Sequence, residues 1–408
     1  MNFGVFFKFV LKSITHRPAR KSYSTDDNIK FYHIFNIKNE YSIFFDTFTS
    51  QSIPIKFFHK NSDKMTSKRK ILLIYTGGTI GMVKDHASKA LKAFDFSQIL
   101  ENIPELKQID CDITSLSFDE PIDSSNMNTQ YYVQIAEMIE QNYEQHDGFV
   151  VLTGSDTMSY ISSAISFMLE YLTKPVIFTG SQLPIGYLRT DAKENLITSI
   201  EIASAYEDGL PVVSEVCLYF EYKLYRANRT TKLSAEQFEA FTSMNYPPLA
   251  ESGVHLNFNQ DFIEVPTFDK KLIVRKNLCS DIAVLKLFPG IPLDVVKSIL
   301  TISNLKGIVM ETYGAGNAPN NKEFIDLLSD AISKGLYIVN VTQCVGGSVL
   351  SGHYETSSFL KNIGVLDAKD MTTESAIAKL MYLLGVGVDK NKFAHYFNQS
   401  LRAEITIK

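Results

Sequence analysis

Three stretches of this chain carry side chains suited to nucleophilic chemistry. Thr79 closes the turn Thr76-Gly77-Gly78-Thr79 and is followed by Ile80-Gly81. A hydroxyl is a weak nucleophile until a base or cation activates it. Paired glycines let bare backbone approach a ligand closely, so their N–H groups could serve a developing oxyanion. Thr153-Gly154-Ser155-Asp156-Thr157 repeats the pattern and adds a carboxylate. Tyr225-Arg226-Ala227-Asn228-Arg229-Thr230-Thr231-Lys232 is polar and cationic, with Lys232 as a possible proton carrier. Lysine is almost wholly protonated near neutral pH, so a role as base needs burial or neighbouring charge. The bland alternatives are a turn-stabilising threonine, a helix-capping Asp156 and a solvated Lys232. No GxxxxGK[ST] phosphate loop is present.

Strands must hold these turns. Ile71–Tyr75 and Phe149–Leu152 are short apolar runs that immediately precede the first two. Val212–Phe220 precedes the third. In open α/β sheets, ligands bind beyond the carboxyl ends of the strands. Helical periodicity is expected over Thr129–Tyr143, Thr157–Tyr171 and Thr190–Tyr206, with Asp191 near the start of the last, where a helix dipole favours a carboxylate. Strands are expected at Ile113–Phe118 and Val176–Thr179. A second series follows: strand Ile282–Leu287, helix Leu293–Ile302, strand Gly307–Met310, helix Glu323–Ser333 and strand Leu336–Val341. Thr373–Leu384 and Lys390–Asn398 read as closing helices. The fold expected is α/β with two domains: a larger N-terminal, mostly parallel doubly wound sheet and a smaller C-terminal α/β domain. Their boundary falls near residues 255–275, giving domains 66–262 and 275–408.

Composition narrows the function class. Hydrophobic content of 45% and charged content of 21% are ordinary for a globular protein. A net charge of −5 argues against nucleic-acid binding through a general basic surface. Four cysteines without a CxxC pair fit a reducing compartment better than a disulfide framework. The histidines have no HExxH or HxxxH spacing, so no metal is implied. No uninterrupted apolar run is long enough to span a bilayer.

TGGTIGM, GSDTMSY and YRANRTTK together resemble the asparaginase/glutaminase family, most closely its bacterial cytoplasmic type I asparaginases. Asp123–Met127 (DSSNM), Pro175–Pro184 (PVIFTGSQLP), Tyr313–Pro319 (YGAGNAP), Val339–Cys344 (VNVTQC) and Leu401–Thr406 (LRAEIT) extend the likeness over residues 68–408. The resemblance implies hydrolysis of L-asparagine to L-aspartate and ammonia, with no cofactor or metal. It implies that Thr79 attacks the side-chain amide, that Ser155, Asp156 and Lys232 form a second catalytic cluster, and that Asp123, Ser124 and Ser125 grip the amino-acid end with Ser155 and Asp156. It also implies a cytoplasmic homodimer or homotetramer in which Asn317 reaches the neighbouring subunit's site. Two other readings stay open: an ammonia-supplying subunit of a tRNA-dependent amidotransferase, and a non-catalytic amino-acid sensor.

The chain departs from the family pattern at several points. Ser155 stands where threonine is usual, which keeps the hydroxyl and loosens its rotamer. Met82–Ala93 lacks the tyrosine often carried on a mobile lid, and Lys89-Ala90-Leu91-Lys92 occupies that region. Thr342 and Cys344 match a possible regulatory asparagine site, but Glu311 replaces the arginine expected there, and its carboxylate should repel the ligand's own. Residues 1–64 hold 11 of the 28 phenylalanines and a local charge of +5, leaving −10 for the remainder. They read as a non-catalytic extension, disordered or an over-extended reading frame, with a targeting or docking arm as the rival.

Overall fold

The computed structural model describes residues 31–37, 40–46, 68–84, 91–93, 103–350 and 355–407. The chain divides into two units, Met1–Ser67 and Lys68–Lys408. In the first, Phe31–Ile37 and Glu40–Asp46 pair as antiparallel strands; the other residues of the proposed extension lie outside the described ones.

The second unit begins with β1 (Arg69–Gly77), buried from Ile71 to Gly77. There follow β2 (Cys111–Ile122), α1 (Thr129–Asn142), β3 (Gly148–Leu152), α2 (Met158–Met168), β4 (Val176–Thr179), α3 (Ala192–Ser204) and β5 (Val216–Phe220). Strands β5-β4-β3-β1-β2 lie side by side and parallel. Side chains alternate across β1. Ile71, Leu73 and Tyr75 pack with Val150, Leu152, Leu196 and Ile200 on the α3 face. Leu72 and Ile74 pack with Ile135, Ile139, Ile161 and Ile165 on the face of α1 and α2. Helices cover both faces, so the central strands read as continuous apolar runs rather than alternating ones.

The sheet then turns antiparallel. β6 (Lys223–Arg226), β8 (Ala250–Ser252) and β9 (Leu256–Phe258) extend it outward from β5, and the short β7 (Thr231–Lys232) pairs with Phe241–Thr242. The carboxyl-terminal part has a four-stranded parallel sheet: β10 (Ile282–Lys286), β11 (Gly307–Thr312), β12 (Tyr337–Thr342) and β13 (Leu366–Asp367). Its helices are α4 (Leu293–Leu300), α5 (Lys322–Ser333), α6 (Glu355–Asn362), α7 (Thr373–Gly385) and α8 (Lys390–Asn398). The expected mixed α/β architecture, with a large mostly parallel sheet and a smaller parallel one, is therefore what the chain forms.

Packing joins the two parts through α2. Ala164 and Phe167 share a core with Leu380, Leu383 and Phe397. A polar lock closes the same seam. Arg229 Nη1 donates to Asp370 Oδ2 at 2.8 Å and its Nε to the Ala403 carbonyl at 2.8 Å. Asn228 Nδ2 bridges Ser166 Oγ (3.0 Å) and the Arg402 carbonyl (2.8 Å). The segment Leu401–Thr406 thus folds back onto the turn that leads to Lys232.

Candidate active site

The strand order places the reversal point at β1 and β3: the chain leaves β1 for β2 on one side, then crosses back to β3 on the other. A crevice opens at the carboxyl ends of such strands. Near the end of β1, Thr76 donates its hydroxyl to the Leu152 carbonyl at 3.1 Å, which ties the two strand ends together. Pairing in β1 shifts register between Tyr75 and Gly77, where Gly77 meets Ile122.

Glycines set how closely the loops approach. Gly77 (φ 131°) lies so near Ile122 that an added Cβ would stand 2.2 Å from its carbonyl oxygen. Gly78 (φ 86°) abuts the second loop, with a Cβ position 2.4 Å from the Gly154 nitrogen. Gly154 in turn faces Ser124, whose Oγ would be 2.5 Å from its Cβ. The turns carrying Thr79, Ser155 and Ser124 therefore interlock through hydrogen-only side chains. Thr79 itself is half-buried and begins the 3-10 turn Thr79–Gly81.

Lys232 arrives on β7 and joins the second loop. Its Nζ donates to Ser155 Oγ at 2.8 Å and to Asp156 Oδ1 at 2.7 Å. The Lys232 side chain is only 16% exposed whereas Asp156 is 70% exposed, so Lys232 is not the solvated lysine of the bland alternative. Asp156 does not cap α2 either. Thr157 occupies the cap position without a side-chain cap bond, and its hydroxyl donates to the Ser124 carbonyl at 2.8 Å. The Asp156 carboxylate is turned to the lysine instead.

Asp123 accepts from both the backbone N–H (2.9 Å) and the hydroxyl (2.8 Å) of Ser125. Those two bonds hold its carboxyl below the usual carboxylate range, so it is ionised at neutral pH. Ser124 is buried. Asp123, Ser124 and Ser125 are thus adjacent to the Thr79 and Ser155 turns, through Gly77 and Gly154.

A cavity of about 560 Å³ lies beside the cluster. Asp156, Thr231 and Lys232 form part of its wall, with Glu374, Glu311, Thr342 and Cys344 on the carboxyl-terminal side. Thr79 and Asn317 are not among its lining residues. The Thr342 hydroxyl is used locally, donating to the Gly314 carbonyl at 2.6 Å and accepting from Cys344 N at 3.0 Å. Glu311 is paired with Lys286 Nζ at 3.0 Å and accepts from Thr373 Oγ1 at 2.8 Å. The charge reversal at Glu311 is therefore answered by a lysine directly across the β10–β11 ladder. Burial pushes the Glu374 carboxyl up, although Thr231 donates to it at 2.6 Å.

Asn317 sits in the loop after β11, bridged to Tyr313 through both backbone groups (2.9 and 2.8 Å). Of the lid region, Met82–Lys84 and Leu91–Ala93 form an antiparallel pair; residues 85–90, including Lys89 and Ala90, lie outside the described ones. All four cysteines are free, Cys344 alone being exposed. Among the described residues no helix is long and apolar enough to cross a membrane. Reading the sequence gave no role to Gln182, whose Oε1 accepts from Ser155 Oγ at 3.3 Å, although it stands in the quoted PVIFTGSQLP run.

Known proteins resemble this chain over most of its length. The family described as Asparaginase, N-terminal, matches residues 70–264, and the Glutaminase/Asparaginase C-terminal domain matches residues 281–397. L-asparaginase 1 of Escherichia coli (strain K12) is 40% identical over 340 residues, covering 83% of this chain and 98% of that protein. The 60 kDa lysophospholipase of Mus musculus is 39% identical over 84% of this chain, which spans 64% of that longer protein. The crystal structure of L-asparaginase I from Vibrio cholerae O1 biovar eltor superposes with a TM-score of 0.76 at 37% identity, over 84% of this chain and all of that one. With both family domains matched in order and interlocked as above, this chain belongs to the asparaginase family.

Proposed function

We propose that this chain hydrolyses L-asparagine to L-aspartate and ammonia through a Thr79 acyl-enzyme. The observation that supports this most is the pair of bonds from Lys232 Nζ to Ser155 and Asp156, next to a Gly78–Gly154 backbone contact. Thr79 Oγ attacks the side-chain amide carbon as Lys232, held by Ser155 and Asp156, gives a proton to the leaving ammonia and takes up the one that Thr79 loses. Water then attacks the acyl carbon and releases aspartate and the free hydroxyl. Backbone N–H groups of the Gly77–Thr79 turn face the oxyanion; losing one such donor typically costs about 2.7–4 kcal/mol. Asp156 and the ionised Asp123 hold the substrate ammonium, and the Ser124–Ser125 turn holds its carboxylate.

The same reading places the catalytic motifs in the N-terminal domain, residues 66–262, takes 275–408 as the C-terminal domain, leaves 1–64 non-catalytic, and has the chain act as a cytoplasmic homodimer or homotetramer with Asn317 at the neighbouring subunit's site. Four free thiols support the reducing compartment. Thr342, Cys344 and Glu311 form a candidate regulatory pocket on the shared cavity; a sigmoidal dependence of rate on asparagine is its signature, and a strictly hyperbolic curve removes it.

Ammonia release from asparagine by the wild type and by Thr79→Ala tests the central claim. Wild-type turnover with a loss of more than about a thousandfold in the variant is expected, because a nucleophile acts as part of a unit. Comparable turnover in both, or wild-type binding without turnover, removes it.

A further inference from the structure

The carboxylate of Asp191 occupies the N-cap position of α3 yet makes no cap bond. It is 5% exposed. Its oxygens are committed elsewhere: Oδ2 accepts from the Gln182 backbone N–H at 2.8 Å and Oδ1 from the Leu183 N–H at 3.1 Å. Asn195 Nδ2, one helical turn on, donates to Asp191 Oδ2 at 3.3 Å and to the Gly180 carbonyl at 3.0 Å. Asp191 and Asn195 together pin both ends of the loop after β4. That loop carries Gln182, whose side chain is oriented at its other end by a 2.9 Å bond from Nε2 to the Gln237 carbonyl. With Nε2 turned to the Gln237 carbonyl, the Gln182 amide presents its oxygen, an acceptor only, to Ser155.

This fixes the Ser155 hydroxyl. Its oxygen accepts from Lys232 Nζ, so its single proton points at Gln182. A hydroxyl with both directions assigned cannot rotate to offer its hydrogen to the lysine side. We propose that Asp191 is a positioning residue for the amide hydrolysis, acting through Gln182 to hold the Ser155 hydroxyl as a fixed acceptor for Lys232. The inference rests on the Thr79–Ser155–Lys232 reading above. It adds a buried group outside the cavity, and it explains why α3 starts with an aspartate that does not cap it.

Asp191→Asn replaces one acceptor oxygen by an NH₂ group facing a backbone N–H, which releases the Gln182–Leu183 turn. Gln182→Met removes the acceptor directly from a half-buried position without emptying a core site, and stands in should the aspartate variant fold poorly. Steady-state kinetics with asparagine over a pH series, on the full chain, is the test. Both single variants are expected to lose roughly tenfold to hundredfold in kcat with KM within about twofold, as misplacement of a reacting group does. Both should shift the kcat–pH profile in the same direction, and the double variant should be no slower than the slower single one. Wild-type kcat and pH profile in Gln182→Met, or fully multiplicative losses in the double variant, overturn the proposal while leaving wild-type asparagine turnover intact. If the wild type itself releases no ammonia, it is the proposed function that fails.

Discussion

Gly78 has a φ of 86°, and the space where a Cβ would sit is filled by the backbone of Gly154. With ψ at 174°, that conformation is essentially reserved for glycine, and an L-residue there carries roughly 1–3 kcal/mol of backbone strain in addition to the clash. Gly78→Ala is accordingly expected to lower the melting temperature and to reduce ammonia release by at least about a hundredfold, since the turn that faces the oxyanion has to move. A folded Gly78→Ala variant with full activity would contradict the interlocked loops. At Lys232 the logic is electrostatic. Lys232→Met removes both bonds to Ser155 and Asp156, and kcat should fall by more than about a hundredfold, the scale of a proton carrier; kinetics at saturating asparagine checks it.

The hairpin from β5 to β6 turns in two residues, Glu221 (φ 45°) and Tyr222 (φ 68°), both left-handed and neither glycine. A primed turn favours Asn-Gly at these positions. Tyr222 is half-exposed, so Tyr222→Gly is expected to stabilise the protein by about 1 kcal/mol, read as a shift in the urea midpoint. Glu221 keeps its place through the bond from its N–H to Asn195 Oδ1 at 3.0 Å. Burial, with the carboxylates of Asp191, Glu194 and Glu239, pushes its carboxyl up to about 7. A carboxyl raised on folding favours the folded state while protonated, so that stability is present below the ordinary value of 4.5 and lost as pH rises through 7. Glu221→Gln should therefore stabilise the protein at pH 8, by on the order of 1 kcal/mol after solvent screening, and leave it nearly unchanged at pH 4. Equal stabilities of the two proteins at pH 8 would show that the neighbouring carboxylates do not act on Glu221.

Across the whole molecule, stability and chemistry meet at the seam between the two parts. Lys379 and Glu404 form a fully buried pair, and Glu404 also accepts from the backbone of Leu401 and Arg402. Lys379→Met leaves that carboxylate buried without its cation, which typically costs about 3–5 kcal/mol. The loss should appear in denaturant unfolding, and activity should fall with it because Leu401–Thr406 clamps Asn228 and Arg229 ahead of Lys232. A chain lacking residues 1–64 is expected, by contrast, to retain wild-type kcat; a loss there would give the amino-terminal extension a part in catalysis.

Much of this was legible in the sequence where the signal is local. Ile71–Tyr75 and Phe149–Leu152 read as buried strands because both faces of the sheet are covered, and Thr129–Tyr143 as a helix, formed over Thr129–Asn142, because Ile135, Ala136 and Ile139 fall on one stripe. The glycine turns after those strands, and Lys232 as their cationic partner, followed from residue type. Arg226 and Arg229 stand in a stretch that reads only as polar and cationic, yet both are almost wholly buried, paired to Glu215 and Asp370. One partner lies 11 residues away and the other 141, and no local pattern encodes either contact. Asp191 read as a helix-start carboxylate, while its true partners, Gln182 and Leu183, stand at the far end of the same loop. Sequence alone therefore determined the strands, the turns and the reactive residue types, since those depend on neighbours along the chain. The tertiary structure alone decided which buried charges meet and which way the Ser155 proton points, since those depend on groups brought together only when the sheet and the seam have closed.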